Sequence, residues 1–307
     1  MKVFKNVIKK HFGKFLFKKK EVSPNFVYFE SRRYQLIEHI LYDEKQGVTK
    51  DHYTDHNIIV SLTTYGKRIH EVAFTIESIM QQTMKANRII LWLDKSFEGK
   101  TLPVALRKQQ KRGLEIAYCD DIRSYKKLIP SLQAFPKDAI ITIDDDLLYD
   151  YDILEHLITA YLDNPAYIHC CRVRLMRFDK DEKLLPYNKW KREKEIELGV
   201  NKNFFITGGG GTLYPPQSLD EEVLNREVFM DICPYADDVW FTAMACKKGT
   251  PINKVYTRNP IGDDFITNMS VQDVALANIN TQGEKLNDVQ IKAVFGRYLN
   301  GRFNLSL

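Results

Sequence analysis

From Asn57 onward, short apolar runs alternate with longer stretches of mixed polarity. Ile58-Ile59-Val60-Ser61-Leu62 is one such run, and Arg88–Leu93, Leu114–Tyr118 and Ala139–Ile143 are others. Each predicts a strand covered on both faces. The stretches between them, Arg68–Gln82, Val104–Lys111 and Tyr125–Phe135, predict helices. This alternation implies an α/β fold with a mostly parallel central sheet flanked by helices. Ligands of such sheets bind beyond the carboxyl ends of the strands, so chemistry is expected just after these runs.

The pattern changes past Asp146. A helix is expected over Asp150–Leu162 and a strand over Tyr167–Leu175, followed by a charged stretch, Asp179–Lys202, that reads as an insertion or lid. Phe204–Ile206 leads into four glycines, 208–211, and a turn at Pro215-Pro216. Asp237–Lys247 and Asn287–Leu299 predict helices. Residues 57–307 are expected to form the main domain. Residues 23–56 read as a connecting segment, broken at Ser23-Pro24 and holding a short helix over Tyr34–Tyr42. Within residues 1–22, Phe4, Ile8, Phe12 and Phe15 recur at helical spacing among lysines, which predicts a basic amphipathic helix. It serves either as a helix packed on the domain or as a peripheral anchor on an anionic membrane.

Composition sharpens this picture in three ways. At 307 residues and 44% apolar content the chain can bury a full core. Its net charge of +5 is local: eight of the 45 basic residues lie in residues 1–20, which contain no acid. The rest of the chain holds fewer basic residues than its 40 acidic ones, so a nucleic-acid-binding surface is not expected. The five cysteines show no CxxC pair and no framework, and read as buried free thiols of a reducing, cytoplasmic compartment. No apolar run reaches the ~18 residues that span a bilayer.

Three clusters carry candidate chemistry. Ile140-Ile141-Thr142-Ile143 ends in Asp144-Asp145-Asp146, consecutive carboxylates that repel one another unless a cation joins them. Oxygen-only ligation suits Mg²⁺ or Mn²⁺ shared with a diphosphate, whereas a solvated acidic turn is the ordinary alternative. Asp237-Asp238 opens a helix, as an N-cap with an acidic first turn or as a general base. Gly208-Gly209-Gly210-Gly211 serves a flexible turn or a close approach of backbone to ligand. It lacks the residues that complete a P-loop or a dinucleotide fingerprint.

In order and spacing these segments resemble the family 2-like glycosyltransferases with the GT-A fold, over roughly residues 57 to 250. Thr63-Thr64-Tyr65, after the first strand, is similar to the segment that holds the nucleotide base. Asp94, ending the second strand, matches an aspartate that contacts the base, and Asp144-Asp145-Asp146 resembles the DxD motif. The resemblance implies Asp146 and Asp144 as ligands of a divalent cation, Mn²⁺ or Mg²⁺, with Asp144 and Asp145 also reaching the nucleotide sugar. It implies Asp238, or its neighbour Asp237, as catalytic base, and Gly209, Gly210 and Gly211 as acceptor-binding. Residues 57–146 then form the nucleotide-binding half and 147–307 the acceptor-binding half. Asp stands at 237 where the family has Glu, and no histidine follows His169 to act as the metal ligand some GT-A enzymes use.

The function this implies is transfer of a sugar from a nucleoside diphosphate sugar, by resemblance a UDP-sugar, to a glycan or lipid-linked acceptor, with inversion. Arg68, Lys126 and Lys127 are candidate cations toward the diphosphate, with surface solvation as their ordinary role. Trp240 and His169 are candidate acceptor contacts, although a strand histidine is more often packed. Two rivals remain from the sequence: a sugar-nucleotide pyrophosphorylase, disfavoured because Thr63-Thr64-Tyr65-Gly66 is no phosphate loop, and a non-catalytic glycan-binding scaffold.

Overall fold

The four apolar runs form adjacent strands of an eight-stranded sheet, with the run at 114–118 as its half-buried edge. A computed structural model describes residues 24–192, 196–256, 266–274 and 286–299; the basic helix expected over residues 1–22, with its anchoring role, lies outside them. Strand β1 (Ile58–Thr63) is parallel to β2 (Arg88–Asp94) on one side and to β4 (Ala139–Thr142) on the other. Strand β3 (Leu114–Cys119) extends the parallel block beyond β2. On the far side of β4, β10 (Thr212–Tyr214) runs antiparallel and is followed by β6 (Ile168–Cys170), β11 (Ile252–Lys254) and β8 (Gly199–Val200). This is the mostly parallel sheet of the GT-A fold.

The pleat divides the strand side chains between two cores. Ile58, Val60, Leu62 and Ile141 pack beneath α2 (Val72–Met80) and α5 (Ile153–Asp163). Ile59, Ile90 and Ile140 face the opposite way, into a core shared with Trp240 and Phe241 of α7 (Asp237–Lys248) and Phe295 of α8 (Leu286–Tyr298). Full burial of each aliphatic side chain contributes about 1.5–3 kcal/mol, so one polar residue inside β1 needs partners. Ser61 finds them: its Oγ lies 2.6 Å from the Lys127 carbonyl and 2.8 Å from Ser131 Oγ, which also accepts the Trp92 indole N–H. These bonds dock the turn that carries Lys127 onto the central strand.

Several expected elements differ in detail. The expected helix Tyr125–Phe135 is a 3-10 turn, Arg123–Lys127, followed by α4 (Ile129–Ala134). Pro130 has no N–H to give and clashes with the carbonyl four residues earlier, so a helix cannot run through it. Arg68–Gln82 likewise divides into a 3-10 turn, Gly66–His70, and α2, and that turn buries Arg68. Tyr167–Leu175 is two strands in two sheets. Cys170 belongs to β6, while β7 (Val173–Leu175) leaves to pair with β9 (Phe204–Ile206). Adjacent Cys170 and Cys171 are both fully buried, in opposite cores, which no continuous half-exposed strand requires.

The segment 23–56 is more than a connection. Helix α1 spans Pro24–Tyr42, with proline at its first position where a missing N–H costs nothing, and it buries Phe29, Leu36 and Ile40. The charged stretch 179–202 also contributes to the core through Leu184 and Trp190. The predicted α3 (Val104–Gln110) is present as expected. The five cysteines form no disulfide with one another, and four of them are buried. Among the described residues, no helix is long and apolar enough to cross a membrane.

Candidate active site

The carboxyl ends of β1 and β4 open into a cleft of about 350 Å³ lined by Thr63, Tyr65, Arg68, Asp144–Asp146, Arg172, Thr267 and Gln272 among others. The three aspartates do not point one way. Asp145 is buried and held, Oδ1 at 2.7 Å from Arg68 Nη1 and Oδ2 at 2.5 Å from Thr64 Oγ1. Burial raises its pKa to about 6 against the pull of Arg68 and Thr64, which leaves it ionised and paired at neutral pH. Thr64 and Asp145 are therefore bonded to each other, while Asp145 lines the cleft together with Asp144 and Asp146.

Asp146 is fixed by Gln272, whose Nε2 donates to Oδ2 at 2.8 Å, and by Arg68 Nη2 at 3.2 Å from the same oxygen. Its backbone carbonyl accepts from the Asn268 N–H at 2.7 Å. Burial, then the charge of Asp144, pushes its pKa up against the pull of Arg68. Asp144 meets Lys127 Nζ at 3.0 Å, and its own N–H donates to Tyr149 Oη at 2.9 Å. Tyr149 Oη in turn donates to the Gly209 carbonyl. Gly209 passes so close that a Cβ there would lie 2.1 Å from Asp144 Oδ2, so any side chain at 209 would displace the Asp144 carboxylate. Two neighbouring carboxylates, Asp144 and Asp146, in a cleft with further oxygen donors form a set that fits Mg²⁺ or Mn²⁺.

In a second group of potential ligands, His39, Asp43 and Glu77, the ligand atoms lie within 4.8 Å of one another, and none of the three lines this cleft. Arg112 fills it, with Nη1 2.8 Å from Glu77 and Nη2 3.6 Å from Asp43. It is an ion-pair cluster with its cation in place.

Lys127 joins the cleft to helix α7. Its Nζ lies 3.0 Å from both Asp144 Oδ1 and Asp237 Oδ2. Burial alone would lower its pKa, but Asp144, Asp237 and Asp238 more than reverse this and hold the ammonium well above its usual value. Asp237 is buried and makes no cap hydrogen bond; Ala236 stands at the N-cap. Asp238 Oδ1 accepts from the Gly208 N–H at 2.9 Å. Burial, then the charge of Asp237, lifts Asp238 to about 7 against Lys127 and that N–H. A carboxyl poised there exchanges protons readily near neutral pH.

Trp240, His169, Lys126, Asp94, Gly210 and Gly211 do not line this cleft. Trp240 is wholly buried, donates its indole N–H to the Val223 carbonyl at 3.1 Å and packs on Phe229 and Tyr298, so it is a core residue. His169 is also enclosed, with Nε2 3.0 Å from the Asn164 carbonyl and Nδ1 3.0 Å from Asn253. Lys126 is buried on Asp121 rather than solvated or in the cleft. Asp94 ends β2 and caps the following turn by accepting from the Ser96 N–H at 2.9 Å. Gly210 lies in the 3-10 turn Gly208–Gly210, and Gly211 takes a left-handed φ of 100° that redirects the chain into β10. Sequence reasoning missed Arg172, Thr267, Gln272 and Tyr149. The alternation Arg172-Val173-Arg174-Leu175 was a readable sign of a strand with one charged face; Gln272 reaches the cleft only through a long-range contact.

Residues 59–222, more than half of the chain, match the family described as Glycosyl transferase family 2. Among solved structures the chain is similar to a CMP:2-keto-3-deoxy-manno-octonic acid synthetase complexed with CTP, at 12% identity over 66% of this chain and 89% of that one, with a TM-score of 0.36. It is similar to a mannosyltransferase from Pyrobaculum calidifontis in complex with GDP-Man and Mn²⁺, at 16% identity over 47% of this chain and 44% of that one, with a TM-score of 0.31. Similarities at these scores carry no weight about substrates. No curated protein matches.

Proposed function

The chain belongs to glycosyl transferase family 2, and from that premise we propose that it transfers a sugar from a nucleoside diphosphate sugar, with UDP the expected nucleotide, to a hydroxyl of a glycan or lipid-linked glycan, with inversion. The observation that carries this reading is Lys127. Its ammonium bridges Asp144 of the strand-end motif and Asp237 of the helix motif, so two acidic motifs some 90 residues apart in sequence form one site.

Thr63 and Tyr65 offer the end of β1 to the nucleotide, and Arg68 and Lys127 supply positive charge beside it. Asp144 and Asp146 would hold a divalent cation, which when bound neutralises charge on the diphosphate. Asp238 takes the proton of the acceptor hydroxyl at the carboxylate oxygen that the Gly208 N–H does not occupy. As the acceptor oxygen bonds to the anomeric carbon, the bond to the diphosphate breaks and the nucleoside diphosphate leaves. One displacement on the face opposite the leaving group inverts that carbon. Lys127 stays charged throughout and keeps Asp144 and Asp237 apart from mutual repulsion.

Incubation with a panel of nucleoside diphosphate sugars and Mn²⁺ tests the reading. Slow release of nucleoside diphosphate from at least one donor is expected, and Asp146→Asn should abolish it. Absence of release and of nucleotide binding across the panel would overturn the assignment.

A further inference from the structure

The strand β7 and the residue after β9 build a second polar surface beside Asp238 that the reaction above does not use. Arg172 lines the cleft in the bend that leads into β7, and Arg174 lies two residues on, within the strand. Residues opposite one another in an antiparallel pair share a face. Val173 opposes Ile206, and the Thr207 N–H bonds the Arg172 carbonyl at 3.3 Å, which sets Thr207 across from Arg172. Thr207 is 8% exposed, and its buried hydroxyl has no hydrogen-bond partner. A buried hydroxyl left in that state is destabilising, so a ligand that accepts from it is favoured. The next residue, Gly208, is the one that holds Asp238.

Arg174 and Tyr187 complete the surface. The Arg174 guanidinium stands 4.3 Å above the Tyr187 ring, and Tyr187 packs edge-on against Phe205, the residue paired with Arg174. Burial raises the pKa of the Tyr187 hydroxyl, Arg174 and Arg172 pull it down and Asp238 pushes it up, so all three charges lie in its neighbourhood. Arginine forks match the planar or tetrahedral oxygens of carboxylate and phosphate, and a neighbouring hydroxyl adds a third donor.

We propose that Arg172, Arg174 and Thr207 form an oxyanion subsite, and that the acceptor therefore carries a phosphate or carboxylate close to the hydroxyl that is glycosylated. This rests on the reading of Asp238 as the acceptor-side base, and it narrows the acceptor from glycans in general to anionic ones.

Methyl phosphate, acetate and a neutral methyl hexoside are titrated against the full chain in chelator-containing buffer, with binding read by calorimetry. Chelation keeps metal at Asp144 and Asp146 from capturing the anion. One of the two anions is expected to bind and the hexoside not to; preference for methyl phosphate identifies a phosphorylated acceptor, and preference for acetate an acidic sugar. Arg174→Gln and Arg172→Gln should each weaken that binding at least tenfold, and Arg174→Lys should recover part of it, with thermal unfolding showing that the variants are folded. Nucleoside diphosphate binding with Mn²⁺ is measured on Arg174→Gln, whose residue does not line the cleft, and should change less than threefold. The proposal is overturned if neither anion binds, if both glutamine variants bind as wild type does, or if Arg174→Gln weakens nucleoside diphosphate binding as much as anion binding, which would place this arginine at the donor. Failure of donor hydrolysis by the wild type would instead sink the transferase reading.

Discussion

Asp237 and Asp238 are adjacent yet have different partners: Asp237 meets Lys127, and Asp238 meets a backbone N–H. Asp238→Asn keeps an oxygen for Gly208 but cannot accept the acceptor proton. Transfer should fall ~10²–10⁴-fold with nucleotide affinity retained. Asp237→Asn removes a carboxylate from buried Lys127 and should lower stability and donor affinity together, which corrects its expected role as a simple helix cap. Transfer at the wild-type rate by Asp238→Asn would remove the base assignment. The same residue predicts a pH effect. Asp238 titrates near 7 when folded and near ~3.9 when unfolded, so between these values only the folded chain holds the proton. That contribution to stability is complete below about pH 4 and is lost as pH rises through about 7. Urea unfolding of the metal-free protein should show stability falling between about pH 5 and 7.5, with a shallower fall in Asp238→Asn. A wild-type profile no steeper than the variant's would contradict the assignment.

At the scale of elements, the glycine turn and α7 act as one unit, because Gly208 holds Asp238 and Gly209 leaves room for Asp144. Gly209→Ala drives a methyl into the Asp144 carboxylate and should cost about 1–3 kcal/mol in chemical unfolding while weakening metal-dependent nucleotide binding. Gly296→Ala is the control: it lies within α8 with open space around it, and should stabilise by up to ~1 kcal/mol. Equal effects of the two would show that the close approach at Gly209 is unimportant. The parallel strands, the aspartate run and the glycine run were legible in the sequence because each is a local pattern. The division of labour within Asp144–Asp146 was not, since Asp145 is set apart by Thr64 and Arg68, some 80 residues away. The break at Cys171-Arg172 was hidden because two short strands of different sheets are contiguous in sequence, and Gln272 because its only link to the site is spatial. Trp240 read as a site residue through its place beside Asp238, yet helical rotation turns it into the core.

Over the whole molecule, the sheet gathers motifs from both halves of the chain at the carboxyl ends of its inner strands β1 and β4, and the lysine-rich residues 1–20 are expected to act apart from that chemistry. Deleting them should abolish binding to anionic vesicles, with the wild-type interaction weakening as salt rises, and leave donor hydrolysis nearly unchanged. Unfolding of the truncated chain would instead identify a packed structural helix. The central claim is that Asp144 and Asp146 form, with a divalent cation, the donor half of a single site. Its most direct test is unfolding free energy with UDP and Mn²⁺, separately and together, in wild type, Asp146→Ala and Asp238→Asn. Both ligands together, at 100 times the dissociation constant, should add about 2.7 kcal/mol to wild type. The same gain is expected in Asp238→Asn and little or none in Asp146→Ala; equal stabilisation of wild type and Asp146→Ala would contradict the account.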